Sequence, residues 1–118
     1  MKPFELKLTE PSEPPEPLRV SVSGYLDAHT VLSFEQRMEE QLQSGYSKII
    51  LDIGDLSYIS SAGIGAMMGL AQKLRGKGGD LVLVKPSEKV FKILELLGFT
   101  KIFRIASSDS DAVEELNF

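Results

Sequence analysis

The chain has no cysteine. That excludes disulfides, thiolate metal ligands and a cysteine nucleophile, and it fits a cytoplasmic protein. Histidine occurs once, at His29. With no second histidine and no thiol, a zinc site lacks its donors, so His29 reads as a helix-start or surface residue and no metal is expected. Basic residues are not in excess: 13 Lys and Arg stand against 17 Asp and Glu, a formal net charge of −4. Without a basic stripe no direct nucleic-acid partner is expected. The apolar runs are far too short to span a bilayer, so no membrane partner is expected either. Residues 4–9 already alternate like a strand, and no signal peptide is expected ahead of them. No internal repeat is visible. No Gly-Lys-Ser/Thr follows the glycines, which argues against a nucleotide phosphate loop. Carboxylates are plentiful, yet none forms an acid/base or nucleophile–base constellation. The chain is therefore read as a non-enzyme without a cofactor.

What is present is one domain's worth of patterned chain, residues 1–118. Residues 4–9 alternate apolar and polar through Phe4, Leu6 and Leu8. Residues 10–17, EPSEPPEP, hold four of the six prolines and three glutamates, a stiff solvated connector. Residues 18–24 alternate again and predict a second strand, antiparallel to the first, followed by a turn at 25–28. From Thr30 the period becomes helical, with Val31, Phe34, Met38 and Leu42 on one face and Gly45 as its stop. Residues 48–53 (KIILDI) read as a strand covered on both faces. A helix follows over 64–74, on the face of Ile64, Met67, Met68, Ala71 and Leu74, and ends at Gly76-Lys77-Gly78-Gly79. Residues 81–84 (LVLV) are another buried strand. Pro86 opens a third helix with Val90, Phe91, Ile93, Leu94 and Leu97 as its apolar face and Gly98 as its end. A short strand at 101–105 and a helix at 110–116, capped by Ser108 or Asp109 and packed through Ala112, Val113 and Leu116, complete the chain. Alternating helices and apolar strands predict an α/β fold: a mostly parallel, four- to five-stranded sheet flanked by about four helices.

The octet Tyr58-Ile59-Ser60-Ser61-Ala62-Gly63-Ile64-Gly65 lies where a strand pattern passes into a helix pattern. A helix start presents free N–H groups and the positive end of its dipole. Two hydroxyls placed there suit an anion, including a phosphate on one of them. The same serines suit an N-cap, where a side-chain oxygen satisfies a helix N–H. Gly63 and Gly65 allow close packing or close approach of a partner backbone. Asp27 caps the nearby helix or contacts a partner, and Asp52 and Asp55 suit turn or cap roles beside the serines. Met67 and Met68 suit core packing, or an adaptable surface if exposed.

Taken together these pieces resemble the STAS domain family, and within it a stand-alone bacterial anti-sigma factor antagonist. Gly24-Tyr25-Leu26-Asp27 is similar to that family's turn after the second strand. Leu51-Asp52-Ile53, then Asp55-Leu56-Ser57-Tyr58-Ile59-Ser60-Ser61-Ala62-Gly63-Ile64-Gly65, resembles its strand, connector and serine-glycine helix start. Gly78-Gly79 with Leu81 to Val84, and Val90 through Leu97-Gly98-Phe99 to Ile102-Phe103, resemble its later elements.

The resemblance implies a binding protein in transcription regulation. Its partner would be an anti-sigma factor with serine kinase activity, and a serine phosphatase would be a further partner. The unphosphorylated form would bind the kinase and free the sigma factor, and phosphorylation at the helix start would weaken that binding. It implies Ser61 as the phosphorylated residue, with Ser60 second, and Asp27, Ser60, Ser61, Ala62, Gly63 and Ile64 as the partner-binding set. One departure stands out. Some members place the target directly before the glycine, where this chain has Ala62, and carry aspartate where it has Ser60. A scaffold that docks proteins in a signalling or transporter-associated assembly, without phosphorylation, is the alternative.

Overall fold

A computed structural model of the chain describes residues 3–10 and 12–118, so Pro11 of the proline-rich connector lies outside the described residues. In chain order the elements are β1 (Glu5–Glu10), β2 (Leu18–Leu26), α1 (Val31–Gln43), β3 (Lys48–Asp52), β4 (Leu56–Ile59), α2 (Ser61–Gly76), β5 (Asp80–Val84), α3 (Glu88–Leu96), a 3-10 turn (Phe99–Lys101), β6 (Arg104–Ala106) and α4 (Asp109–Glu115). The strands form one six-stranded sheet in the order β1-β2-β3-β5-β6, with β4 also paired to β2. Among the described residues only the β1–β2 pair is antiparallel.

Burial explains the strand patterns. Every residue of β5 is buried because helices cover both sheet faces there. The larger core joins β2, β3 and β5 to α1, α2 and α3 through Phe34, Met38, Leu51, Met67, Leu74, Val90 and Leu94. A smaller cluster on the other face packs α4 through Ala112 and Leu116 onto Ile50, Val82, Val84 and Ala106. Strand β2 alternates buried and half-buried residues along all of its length. Its core side is covered and its other side is partly open. Gly24 sits in β2 at φ +86°, and a Cβ there would lie 2.5 Å from the Pro3 carbonyl oxygen, so only glycine lets β1 start so close.

The expected mostly parallel α/β architecture is present, with one strand more than the sequence pattern gives. The extra strand is β4, whose four residues are buried only at the two ends. It has neither alternation nor a continuous apolar run, so its sequence resembles a connector. Local boundaries differ too. Pro86 precedes α3, and Ser87 caps the helix, accepting from the Val90 N–H at 3.3 Å. Phe91 and Leu97 are 37% and 58% exposed, so the inward face of α3 is narrower than its apolar residues suggest. The final strand is Arg104–Ala106, because residues 99–101 close a 3-10 turn instead. Val113 and Leu8 are exposed as well.

Away from the serines, Asp80 is buried at the start of β5 and accepts from Arg75 Nε at 2.9 Å and Arg104 Nε at 2.7 Å. That pair of charge-assisted bonds ties the end of α2 to β6. No helix of the described residues is long and apolar enough to cross a membrane.

Candidate functional site

The geometry of the helix start follows from β2. Its first part pairs with β3, Leu18 beside Ile49 through Ser21 beside Asp52. Its last part pairs with β4, Tyr25 beside Tyr58 and Leu26 beside Ile59. The parallel register therefore carries the chain out of both strands at the same level. The Asp27 turn leaves β2 there, and Ser60 leaves β4. The Ser60 N–H donates to the Leu26 carbonyl at 3.0 Å and closes the ladder.

The two serines then take different roles. Ser60 is extended, with φ −94° and ψ 174°, and its hydroxyl accepts from the Gly63 N–H at 3.3 Å. It is the N-cap of α2. Ser61 is the first helical residue, is exposed, and its hydroxyl has no hydrogen-bond partner among the described residues. Ile64 takes the first helical bond, donating to the Ser60 carbonyl at 2.9 Å. The N–H groups of Ser61 and Ala62 have no partner among the described residues, as expected for a helix's first turn.

Gly63 is where α2 presses on β2. A Cβ there would lie 2.5 Å from the Leu26 carbonyl oxygen and 2.9 Å from Ile59 Cγ1. Gly65 is different: nothing lies within 4 Å of a Cβ placed on it. Ile64 is 3% exposed and belongs to the core. Of the six residues expected to meet a partner, Asp27, Ser60, Ser61 and Ala62 are at least partly accessible, while Gly63 and Ile64 are covered.

Asp27 organises its own turn. Its Oδ1 accepts from the His29 N–H at 2.9 Å, and its carbonyl accepts from the Val31 N–H at 2.9 Å. Thr30 is the α1 N-cap residue without a side-chain cap bond; its hydroxyl instead donates to the Tyr25 carbonyl at 2.8 Å. His29 is exposed, and no group of His, Asp and Glu suited to a metal ion occurs among the described residues.

Asp52 does not flank the serines. It follows Ile50 on the sheet face opposite α2, and its Oδ1 accepts from the Gly54 N–H at 2.9 Å in a turn. Asp55 lines a small depression with it, beside Ser21 and Ser23. Met67 is fully buried and Met68 is half-buried against the core.

Two accessible apolar groups, one on α1 and one on β4, carry no role assigned from the sequence pattern. Leu32 is 63% exposed in the first turn of α1. Its signal was an apolar residue off the face of Val31, Phe34, Met38 and Leu42. Tyr58, 37% exposed, packs its ring 5.7 Å from that of Tyr25, with Lys89 Nζ 5.8 Å from its centroid.

The family model of the STAS domain matches residues 9–112. The anti-sigma F factor antagonist of Paenibacillus polymyxa is 30% identical over 100 residues, 84% of this chain and 86% of that protein. The crystal structure of TM1081 from Thermotoga maritima superposes with a TM-score of 0.83 at 26% identity, covering 98% of this chain and 95% of that one. SpoIIAA, a Bacillus cell fate determinant, has been solved unphosphorylated and phosphorylated. The two structures match with TM-scores of 0.74 and 0.67 at 24% and 23% identity, covering 96% of this chain and 95% and 98% of theirs. At that identity the SpoIIAA likeness is one of fold.

Proposed function

Since this chain belongs to the STAS domain family, we propose that it is an anti-sigma factor antagonist switched by phosphorylation of Ser61. It acts by binding rather than by catalysis. Unphosphorylated, it holds an anti-sigma factor that is also a serine kinase. Phosphorylated, it lets that partner go, and a serine phosphatase restores it. The docking face comprises Asp27, Ser60, Ser61 and Ala62, with Gly63 and Ile64 setting their position from below.

The observation that carries this reading is the contrast between the two hydroxyls. Ser60 is engaged as a cap, whereas Ser61 is exposed and unengaged among the described residues. A phosphate on Ser61 adds about −1.5 to −2 charges beside the first amides of α2. The local stabilisation there is about 0.3–1 kcal/mol, so the fold tolerates the group. Burying the same charge unpaired against a partner costs several kcal/mol. Each ~1.4 kcal/mol is a tenfold change in affinity, so one modification moves binding by orders of magnitude.

With the cognate kinase and ATP, intact-mass analysis is expected to show one added phosphate, mapped to Ser61. Ser61→Ala is expected to stay unmodified and keep its partner, and Ser61→Asp to bind more weakly. Modification of Ser60 in the Ser61→Ala variant would move the site by one residue and keep the switch. If a variant with both serines changed to alanine supports normal regulation in cells under every activating condition, the switch fails. The unphosphorylated scaffold, consistent with Ala62 before the glycine, would then replace it.

A further inference from the structure

We propose that the free edge of β6 takes an extended, basic segment of a partner protein as an added strand. Strand β6 ends the sheet order, and no strand among the described residues pairs with its outer edge. The Ala106 carbonyl accepts from the Lys85 N–H at 3.1 Å, so Ala106 turns its backbone groups toward β5. Backbone groups alternate sides along a strand, so the N–H and C=O of Ile105 face away from the sheet. Neither has a partner among the described residues.

An open groove of about 810 Å³ runs along this edge, at the C-terminal ends of β5 and β6. One wall is apolar: Phe91 of α3, 37% exposed, and the half-buried Ile105, which packs toward the main core. The other wall is acidic: Asp111 and Glu114 on α4, both exposed. Neither carboxylate is in an ion pair among the described residues. Asp111 Oδ2 accepts only from the Ser107 hydroxyl, at 3.2 Å, and Glu114 has no side-chain partner among the described residues. The cation of the groove, Lys85, has its Nζ 3.9 Å from Asp52 Oδ2 instead.

These three features select one kind of occupant. The unpaired backbone of Ile105 offers a donor and an acceptor to an extended chain. Such a chain sends alternate side chains to opposite faces. Aliphatic residues then meet Phe91 and Ile105, while lysines or arginines between them meet Asp111 and Glu114. The groove contains neither serine of the α2 start, so it is a second docking point whose existence does not depend on the phosphoswitch.

The test is a titration of the isotope-labelled full chain, followed by amide NMR, with a capped Lys-Val-Lys-Val-Lys-Val peptide. Shifts are expected to concentrate at residues 85, 91, 105–107 and 111–114, with slowed exchange of the Ile105 amide. An Asp111→Lys/Glu114→Lys double variant is expected to weaken binding at least tenfold while unfolding as cooperatively as the parent. A Glu-Val peptide, or one with proline at a central valine, is expected to bind at least tenfold more weakly. Shifts spread over other acidic residues such as Asp52 and Asp55, or equal binding of the proline peptide, would reduce the effect to general charge attraction and overturn strand addition. No binding at millimolar peptide would overturn it as well. Concentration-dependent shifts at the same residues without peptide would assign the edge to a second copy of this chain and overturn the partner.

Discussion

Ser60 and Ser61 are neighbours in the chain with opposite structural duties. The Ser60 hydroxyl satisfies the Gly63 N–H, while Ser61 contributes no hydroxyl contact among the described residues. Ser60→Ala is therefore expected to destabilise the fold by about 1 kcal/mol, the usual loss for a serine cap. Ser61→Ala is expected to stay within about 0.5 kcal/mol of the parent. Urea denaturation of both variants checks this, and an equal loss in both would deny the division of roles. The presence of paired serines at a helix start was legible in the sequence. Their division of roles was not, because either could cap until the backbone of Ser60 was seen to be extended. Ile64 shows the reverse difficulty. It stands beside the accessible residues in sequence, but helical rotation carries its side chain into the core.

At the scale of elements, the prolines and glutamates of residues 10–17 predict a solvated connector, and its described residues are mostly exposed. It is also held in place. The Tyr46 hydroxyl donates to the Ser12 carbonyl, and the Pro14 ring lies 3.5 Å from where a Cβ on Gly45 would be. The connector enters β2 at Leu18, while the serine site is level with Leu26. That separation is about 26 Å at ~3.3 Å per residue. Replacing the connector with a short Gly/Ser turn is expected to cost about 1 kcal/mol, the worth of the lost hydrogen bonding. Affinity for the proposed anti-sigma factor partner is expected to be unchanged, as measured by calorimetry. A folded variant that no longer bound that proposed partner would place the connector in the interface. The contact with Tyr46 was not legible, since nothing local links the two segments. The apolar face of α3 is only partly covered for a related reason: a helical period gives a face but not its width, which depends on how far β4 and the 3-10 turn reach over it.

At the scale of the whole molecule, the sheet separates two cores of unequal size. Leu51 belongs to the larger one and Val82 to the smaller one under α4, and both are fully buried. Leu51→Asp and Val82→Asp are each expected to prevent stable folding, because each buries a charge with no partner. Circular dichroism and thermal unfolding check this, and a cooperative native-like transition in either variant would show that the sheet is less completely covered than described. The α/β class, the parallel centre of the sheet, the four helices and the serine-bearing helix start were determined by the sequence itself. They rest on periodicity, caps and turn residues, which act within a few positions of one another. Only the tertiary structure decided that β4 is a strand, that the Asp27 turn and Ser60 leave the sheet side by side, and that Asp52 lies on the far face. It also decided that β6 ends with an open edge between Phe91 and two carboxylates. Those features depend on strand register and on which sheet face a helix covers. Both are set by contacts between segments distant in the chain, and such contacts leave no local pattern in the residues that make them.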